Sequence, residues 1–165
     1  YGDYKPDLIC CGKGITSSLP LSALISTSKI IDLDPTANLS STHAGNAICC
    51  AAGLANLKYL TDKKFQKKLS KSIDYFQTKC KGLIKYSSVK KVNVRGLVAG
   101  IIFNDKKITG KIVKNCINDG ILMMDTKRES IKLGPPLTIT VEALEEVFEV
   151  LEYNIMGEQN ELNIQ

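Results

Sequence analysis

The stretch Pro6–Leu21, PDLICCGKGITSSLPL, decides how this chain is read, because it sets one lysine between two glycines at the end of an uncharged run. Leu8–Gly12 is apolar or small throughout, the pattern of a strand buried in a mostly parallel sheet. Lys13 then stands at the strand's carboxyl end, where open α/β sheets bind their ligands. Gly12 and Gly14 let the backbone turn sharply and let a flat ligand come close without meeting a side chain at either neighbour. Two readings of Lys13 stay open on position alone. Lysine is rarely buried, so one that follows a strand can be a solvated surface charge. In the other reading Cys10, Cys11 and Leu19 desolvate the amine and make the neutral nucleophile of a Schiff-base lysine available.

Working outward, Tyr1–Asp7 reads as a connector, with Pro6 biasing the residue before it away from helix. Thr16, Ser17 and Ser18 form a small polar loop, Pro20 restricts the chain, and Leu21–Ile25 reads as a second interior strand beside the first. From Ser26 to Ser41 there is no helical period, and Asp32, Asp34, Pro35 and Asn38 favour turns. That loop ends in hydroxyls and small residues, Ser40–Asn46, just before a helix starting near Ala47. Unpaired N–H groups and the positive end of the helix dipole, joined by the hydroxyls, suit a phosphate. Equally, Ser41, Thr42 or Asn46 can simply cap the helix. His43, the single histidine, reads as an acid or base or as a supporting polar residue.

The helix from about Ala47 to Leu60 is rich in alanine and holds Gly53, so it is expected to lie close against another surface and be largely buried. From about Asp62 to Tyr86, Phe65, Leu69, Ile73, Phe76, Cys80 and Leu83 trace one face of a second helix. A domain boundary is placed near Thr61, giving residues 1–60 and 61–165. Beyond it, Val89–Phe103 reads as a strand pair or one long strand, with Gly96 and Gly100 marking close packing or a bulge. A helix over Lys107–Asn118 is stopped by Gly120. Ile121–Asp125 and Ser130–Leu133 read as a hairpin, ended by Pro135 and Pro136. Thr140 can cap a last helix with Leu144, Val147, Phe148, Leu151 and Ile155 inward and Glu142, Glu145, Glu149 and Glu152 outward. Gly157–Gln165 reads as a polar tail.

At 165 residues with 44% hydrophobic and 24% charged positions, the chain has the composition of a soluble globular protein able to bury a core. No apolar run approaches a membrane span and no leader is visible, so a cytoplasmic protein without membrane contact is expected. The abrupt start without methionine suggests a fragment or processed chain. Cys10, Cys11, Cys49 and Cys50 come as adjacent pairs in apolar runs, without metal-ligand spacing, and read as buried thiols; no metal site is expected. The net charge of +5 conceals an asymmetry, because residues 58–91 hold eleven lysines against two aspartates. Without arginine or interleaved aromatics, that stretch reads as a solvated helix face rather than a nucleic-acid footprint.

Four stretches in order, PDLICCGKGITSSLPLSA, STHAGNAICCAA, RGLVAG and IKLGPPLTIT, resemble the class III aminotransferases, which are pyridoxal-phosphate enzymes. The resemblance runs from Tyr1 to about Ile155, the C-terminal part of a family chain. It implies an α/β fold, the C-terminal part of a fold type I pyridoxal-phosphate-dependent transferase: the end of the large-domain sheet, followed by the small C-terminal α/β domain. It implies that Lys13 holds pyridoxal 5'-phosphate as a Schiff base and then serves as general base, so His43 keeps a supporting role. It implies that Thr42 binds the cofactor phosphate of the neighbouring subunit, hence a homodimer, although Ala44 and Ala47 stand where the family most often has glycine and proline. Relatives that clamp an α-carboxylate use an arginine just before the PPL motif, where this chain has Lys132. Lysine lacks the planar fork, which points to an amine or ω-amino substrate. The implied reaction moves an amino group between a small-molecule donor and a 2-oxo acid. The family's aspartate for the ring nitrogen precedes the lysine and falls before Tyr1, so the chain by itself is expected to be inactive. The competing readings are a non-catalytic remnant or accessory dimerisation subunit and, on the lysine helix alone, a basic nucleic-acid-binding module.

Overall fold

Two short apolar runs separated by a polar loop pair with each other, and later runs of alternating apolar residues build a second sheet. A computed structural model describes residues 3, 5–32 and 42–162 and divides the chain into two units, Tyr1–Gln66 and Lys67–Gln165. In the first unit, β1 (Leu8–Cys11) and β2 (Ala23–Ser26) form an antiparallel ribbon with Cys10 opposite Leu24 and Cys11 opposite Ala23. This corrects the expectation of interior strands of a parallel sheet. No third strand joins the ribbon among the described residues, so Leu8, Ile9, Leu24 and Ile25 remain exposed. A single helical turn, α1 (Ser28–Ile31), starts the stretch expected to be irregular. Positions 33–41 of that loop lie outside the described residues.

Helix α2 (Ala47–Leu60) forms as expected, but its burial does not. Its apolar residues surround the whole helix, whereas one unit's worth of neighbours covers one side; among its residues only Gly53 is buried. Ile48, Leu54, Leu57 and Tyr59 are exposed, and the expectation of a largely buried helix is corrected accordingly. The cysteine reading is corrected too: Cys10 and Cys50 are exposed and Cys11 and Cys49 half-buried, while Cys80 and Cys116 are the buried thiols.

Helix α3 (Lys63–Gly82) passes from the first unit into the second. Its apolar stripe is buried as the spacing requires, Phe76, Cys80 and, in the 3-10 turn that follows, Leu83 being closed off from solvent. The hairpin of β3 (Val89–Arg95) and β4 (Val98–Phe103) settles the choice between a strand pair and one strand. Gly96 makes the turn at φ 57, and the bulge expected at a glycine falls at Val89/Lys91 instead. Helix α4 (Lys106–Asn118) is stopped by Gly120 at φ 88. The hairpin of β5 (Met124–Asp125) and β6 (Ser130–Leu133) completes an antiparallel sheet ordered β3-β4-β6-β5.

Helix α5 (Val141–Leu162) packs Leu144, Phe148, Leu151 and Ile155 against Ala99, Ile101 and Phe103 of β4, Ile131 of β6 and the buried face of α4. The Thr140 hydroxyl accepts from Ala143 N at 3.2 Å, the cap expected for it. Two expectations for α5 are corrected. The helix runs through Gly157, where a polar tail was expected, because Glu158 continues the inward face at 6% exposure and pairs with Lys111 at 3.2 Å. Glu152 is not a solvent-facing outward residue: Lys85 Nζ and Tyr86 Oη each donate to it at 2.7 Å, and Lys79 lies 3.5 Å away. Among the described residues no helix is long and apolar enough to cross a membrane.

Candidate active site around Lys13

The strand β1 ends at Cys11, Gly12 continues it in extended backbone, and Lys13–Ile15 makes a 3-10 turn closed by Ile15 N donating to Gly12 O at 3.2 Å. The left-handed positions belong to Lys13 (φ 47) and, further on, Ser17 (φ 64), not to the flanking glycines. Each such non-glycine residue costs about 1–2 kcal/mol, so neighbouring structure must hold the loop in this shape. The glycines do supply room: a Cβ at Gly12 or Gly14 would meet nothing within 4 Å. Lys13 and Cys10 are both exposed, so of the two readings left open for Lys13 the solvated one describes its surroundings here, and the enclosure of the amine by Cys10, Cys11 and Leu19 is not formed.

What holds the loop is α2. Asn56 Nδ2 donates to Gly14 O at 2.8 Å and to Ile15 O at 3.1 Å, while Ser17 Oγ donates to Asn56 Oδ1 at 3.2 Å. One turn earlier Gly53 allows the approach, since a Cβ there would lie 2.9 Å from Leu21 Cδ2 and 3.7 Å from Thr16 Cγ2. Thr16 is buried and its hydroxyl donates to Leu19 O, closing the loop from within. Sequence reasoning singled out Gly53 but missed Asn56. The available signal was an amide three positions after the glycine, on the same face of an alanine-rich helix.

Thr42 and His43 lie exposed in a turn over 42–45, whose Gly45 has φ 67. Asn46 is the residue that caps α2: its side chain accepts from Ile48 N at 3.1 Å and Cys49 N at 3.2 Å. Ser41 lies outside the described residues. Because the cap takes those two amides, an anion at this end would be held by the Thr42 hydroxyl and the turn ahead of the cap rather than by them. Lys132, in the second unit, is exposed on β6 opposite Gly100 and Met124. It rims an apolar groove of about 590 Å³ lined by Phe76, Leu122, Met124, Pro136 and Leu144. Among the described residues no group of three or more His, Cys, Asp or Glu gathers to hold a metal ion.

An exposed amine with open space on both sides can condense with an aldehyde, and the exposed hydroxyl of Thr42 can donate to a phosphate; each residue separately fits one group of a phosphorylated aldehyde cofactor. The sequence profile of the family described as aminotransferase class-III matches residues 1–155, and the chain belongs to that family. Ornithine aminotransferase 2 of Staphylococcus aureus is 28% identical over 154 residues, 93% of this chain and 38% of the relative. Acetylornithine aminotransferase of Caldanaerobacter subterraneus is 28% identical over 148 residues, 89% of this chain and 37% of the relative. The crystal structure of acetylornithine aminotransferase from Elizabethkingia anophelis matches with a TM-score of 0.83 at 29% identity, over 94% of this chain and 40% of that one. The fold is thus that of fold type I pyridoxal-phosphate-dependent transferases, and the chain spans less than half the length of these relatives.

Proposed function

We propose that this chain carries the cofactor lysine, Lys13, of a pyridoxal-phosphate-dependent aminotransferase that moves an amino group from an amino donor to a 2-oxo acid. The observation that carries the reading is the place of Lys13, on a 3-10 turn at a strand end with open space beside both flanking glycines. Pyridoxal phosphate, when bound, supplies an aldehyde carbon for a covalent tether and a conjugated ring that takes up the electron pair of a broken C–H bond. The Lys13 amine would be the nucleophile that forms the tether. Once released, the same nitrogen accepts the proton from the substrate's amino-bearing carbon and returns it, so one residue is tether and then general base. The Thr42 hydroxyl donates to the cofactor phosphate of a second copy, which makes the working unit a homodimer. At Lys132, an ammonium without a planar fork disfavours an α-carboxylate clamp and favours an amine or ω-amino donor. Its six cysteines, none in a disulfide, suit a reducing compartment such as the cytoplasm.

Borohydride reduction of the full-length protein loaded with pyridoxal phosphate, followed by peptide mapping, tests the assignment. The pyridoxyl group is expected on Lys13, and a label on another lysine refutes it. Thr42→Ala is expected to raise the cofactor dissociation constant about ten- to a hundredfold, the loss of one hydrogen bond to a charged group.

A further inference from the structure

We infer that Asn56 is a positioning residue that sets the direction in which Lys13 projects, an inference that rests on the aminotransferase reading above and deepens it. Gly14 and Ile15 are the two residues that follow Lys13, and their carbonyls both receive hydrogen bonds from the one Asn56 amide nitrogen. Ser17, the loop's other left-handed residue, donates to the oxygen of the same amide. A carboxamide is the side-chain group that offers two N–H donors and an acceptor together, which is what two carbonyls and a hydroxyl demand. Asparagine is also a poor choice for the interior of an exposed helix, where alanine or leucine is favoured. Its presence there departs from local propensity, and the three bonds to the lysine loop account for the departure.

The approach is prepared by Gly53, which lets α2 lie against Leu21 and Thr16 so that Asn56 reaches the loop without stretching. Asn56 bonds the turn on the carboxyl side of Lys13, while β1 fixes the amino side through its pairing with β2. The lysine backbone is therefore clamped on both sides, and the left-handed φ of Lys13 is held by partners some forty residues away in sequence. Asn56 acts through Lys13 and touches neither reacting atom.

The test uses the full-length protein loaded with pyridoxal phosphate, carrying Asn56→Ala or Asn56→Asp. The aspartate keeps the shape but turns the two donated bonds into contacts between acceptors. Three readouts are taken: the site of the borohydride-trapped pyridoxyl group, the pH midpoint of the bound cofactor's absorbance change, and kcat and KM for the amino donor. Both variants are expected to keep the label on Lys13, to shift the pH midpoint, and to lose kcat about ten- to a hundredfold with KM changed much less, as displacement of a reacting group requires. An unchanged pH midpoint and kcat in Asn56→Ala overturns the inference, as does a change confined to melting temperature. Should Asn56→Ala fail to fold, Ser17→Ala removes one bond of the same set from an exposed position. A smaller shift of the pH midpoint in that variant supports the inference, and no shift overturns it. A wild-type label on a lysine other than Lys13 is a different result: it removes the lysine assignment itself, and the positioning role falls with it.

Discussion

Cys80 and Cys10 show how far burial alone separates two residues of one type. Burial pushes the Cys80 thiol up to about 12, and burial together with the charge of Asp119 raises Cys116 to about 11. Cys10 and Cys50 are exposed. The thiolate is the reactive form, so a disulfide reagent at neutral pH is expected to modify Cys10 and Cys50 in the native protein and to reach Cys80 and Cys116 only in denaturant; peptide mapping before and after unfolding checks it. Burial also acts on Glu152 and would raise its carboxyl. The hydrogen bonds from Lys85 and Tyr86, with the charges of Lys85 and Lys79, outweigh burial and hold the group below the ordinary carboxylate value. A depressed folded value means stability that is present above the unfolded value and lost as the pH falls through the folded one. Glu152→Gln is therefore expected to cost up to about 1 kcal/mol near neutral pH. The gap to the wild type closes as the pH falls below the ordinary carboxylate value of about 4.3, which melting curves across that range measure.

Among the elements, α5 and α2 respond oppositely to sequence reasoning. The spacing of Leu144, Phe148, Leu151 and Ile155 marks one face of α5, and that face is the one buried. Phe148, at 0% exposure, meets Phe76 edge-on at a centroid distance of 5.9 Å and Tyr75 at 6.4 Å. Phe148→Ala is expected to destabilise the second unit by about 3–5 kcal/mol, seen as a lower urea midpoint with an unchanged slope. Helix α2 has no such face, because its apolar residues and alanines run all round. Its start was legible only as a choice among Ser41, Thr42 and Asn46, since any short polar side chain can cap. With Asn46 as the cap, Asn46→Ala is expected to cost about 1 kcal/mol locally, read as faster hydrogen exchange at the Ile48 and Cys49 amides.

At the scale of the whole molecule, the buried core lies in the second unit, where β4, β6 and three helices close on one another. The first unit buries little, its ribbon and α2 leaving large apolar side chains exposed. Slow hydrogen exchange is accordingly expected in β4, α4 and α5 and fast exchange in β1, β2 and α1, and mass spectrometry of exchanged peptides distinguishes them. Uniform protection across both units would contradict this.

The sequence by itself determined whatever depends on near neighbours: the extents of α2 and α4, the inward faces of α3 and α5, the hairpin of β5 and β6, and the lysine between glycines at a strand end, while the β3–β4 pair stayed open between a hairpin and one long strand. Periodicity and turn residues act over a few positions, so these were readable without the fold. Only the tertiary structure decided burial and support. Whether Leu8, Cys10 or Ile48 meets solvent depends on elements distant in the chain, and so does the clamp on Lys13, because Gly14 and Ile15 find their donor on Asn56 across more than forty residues of sequence. A hydrogen bond between such remote positions leaves no periodic trace; it exists because Gly53 lets a helix lie close enough to a loop for one amide to reach it.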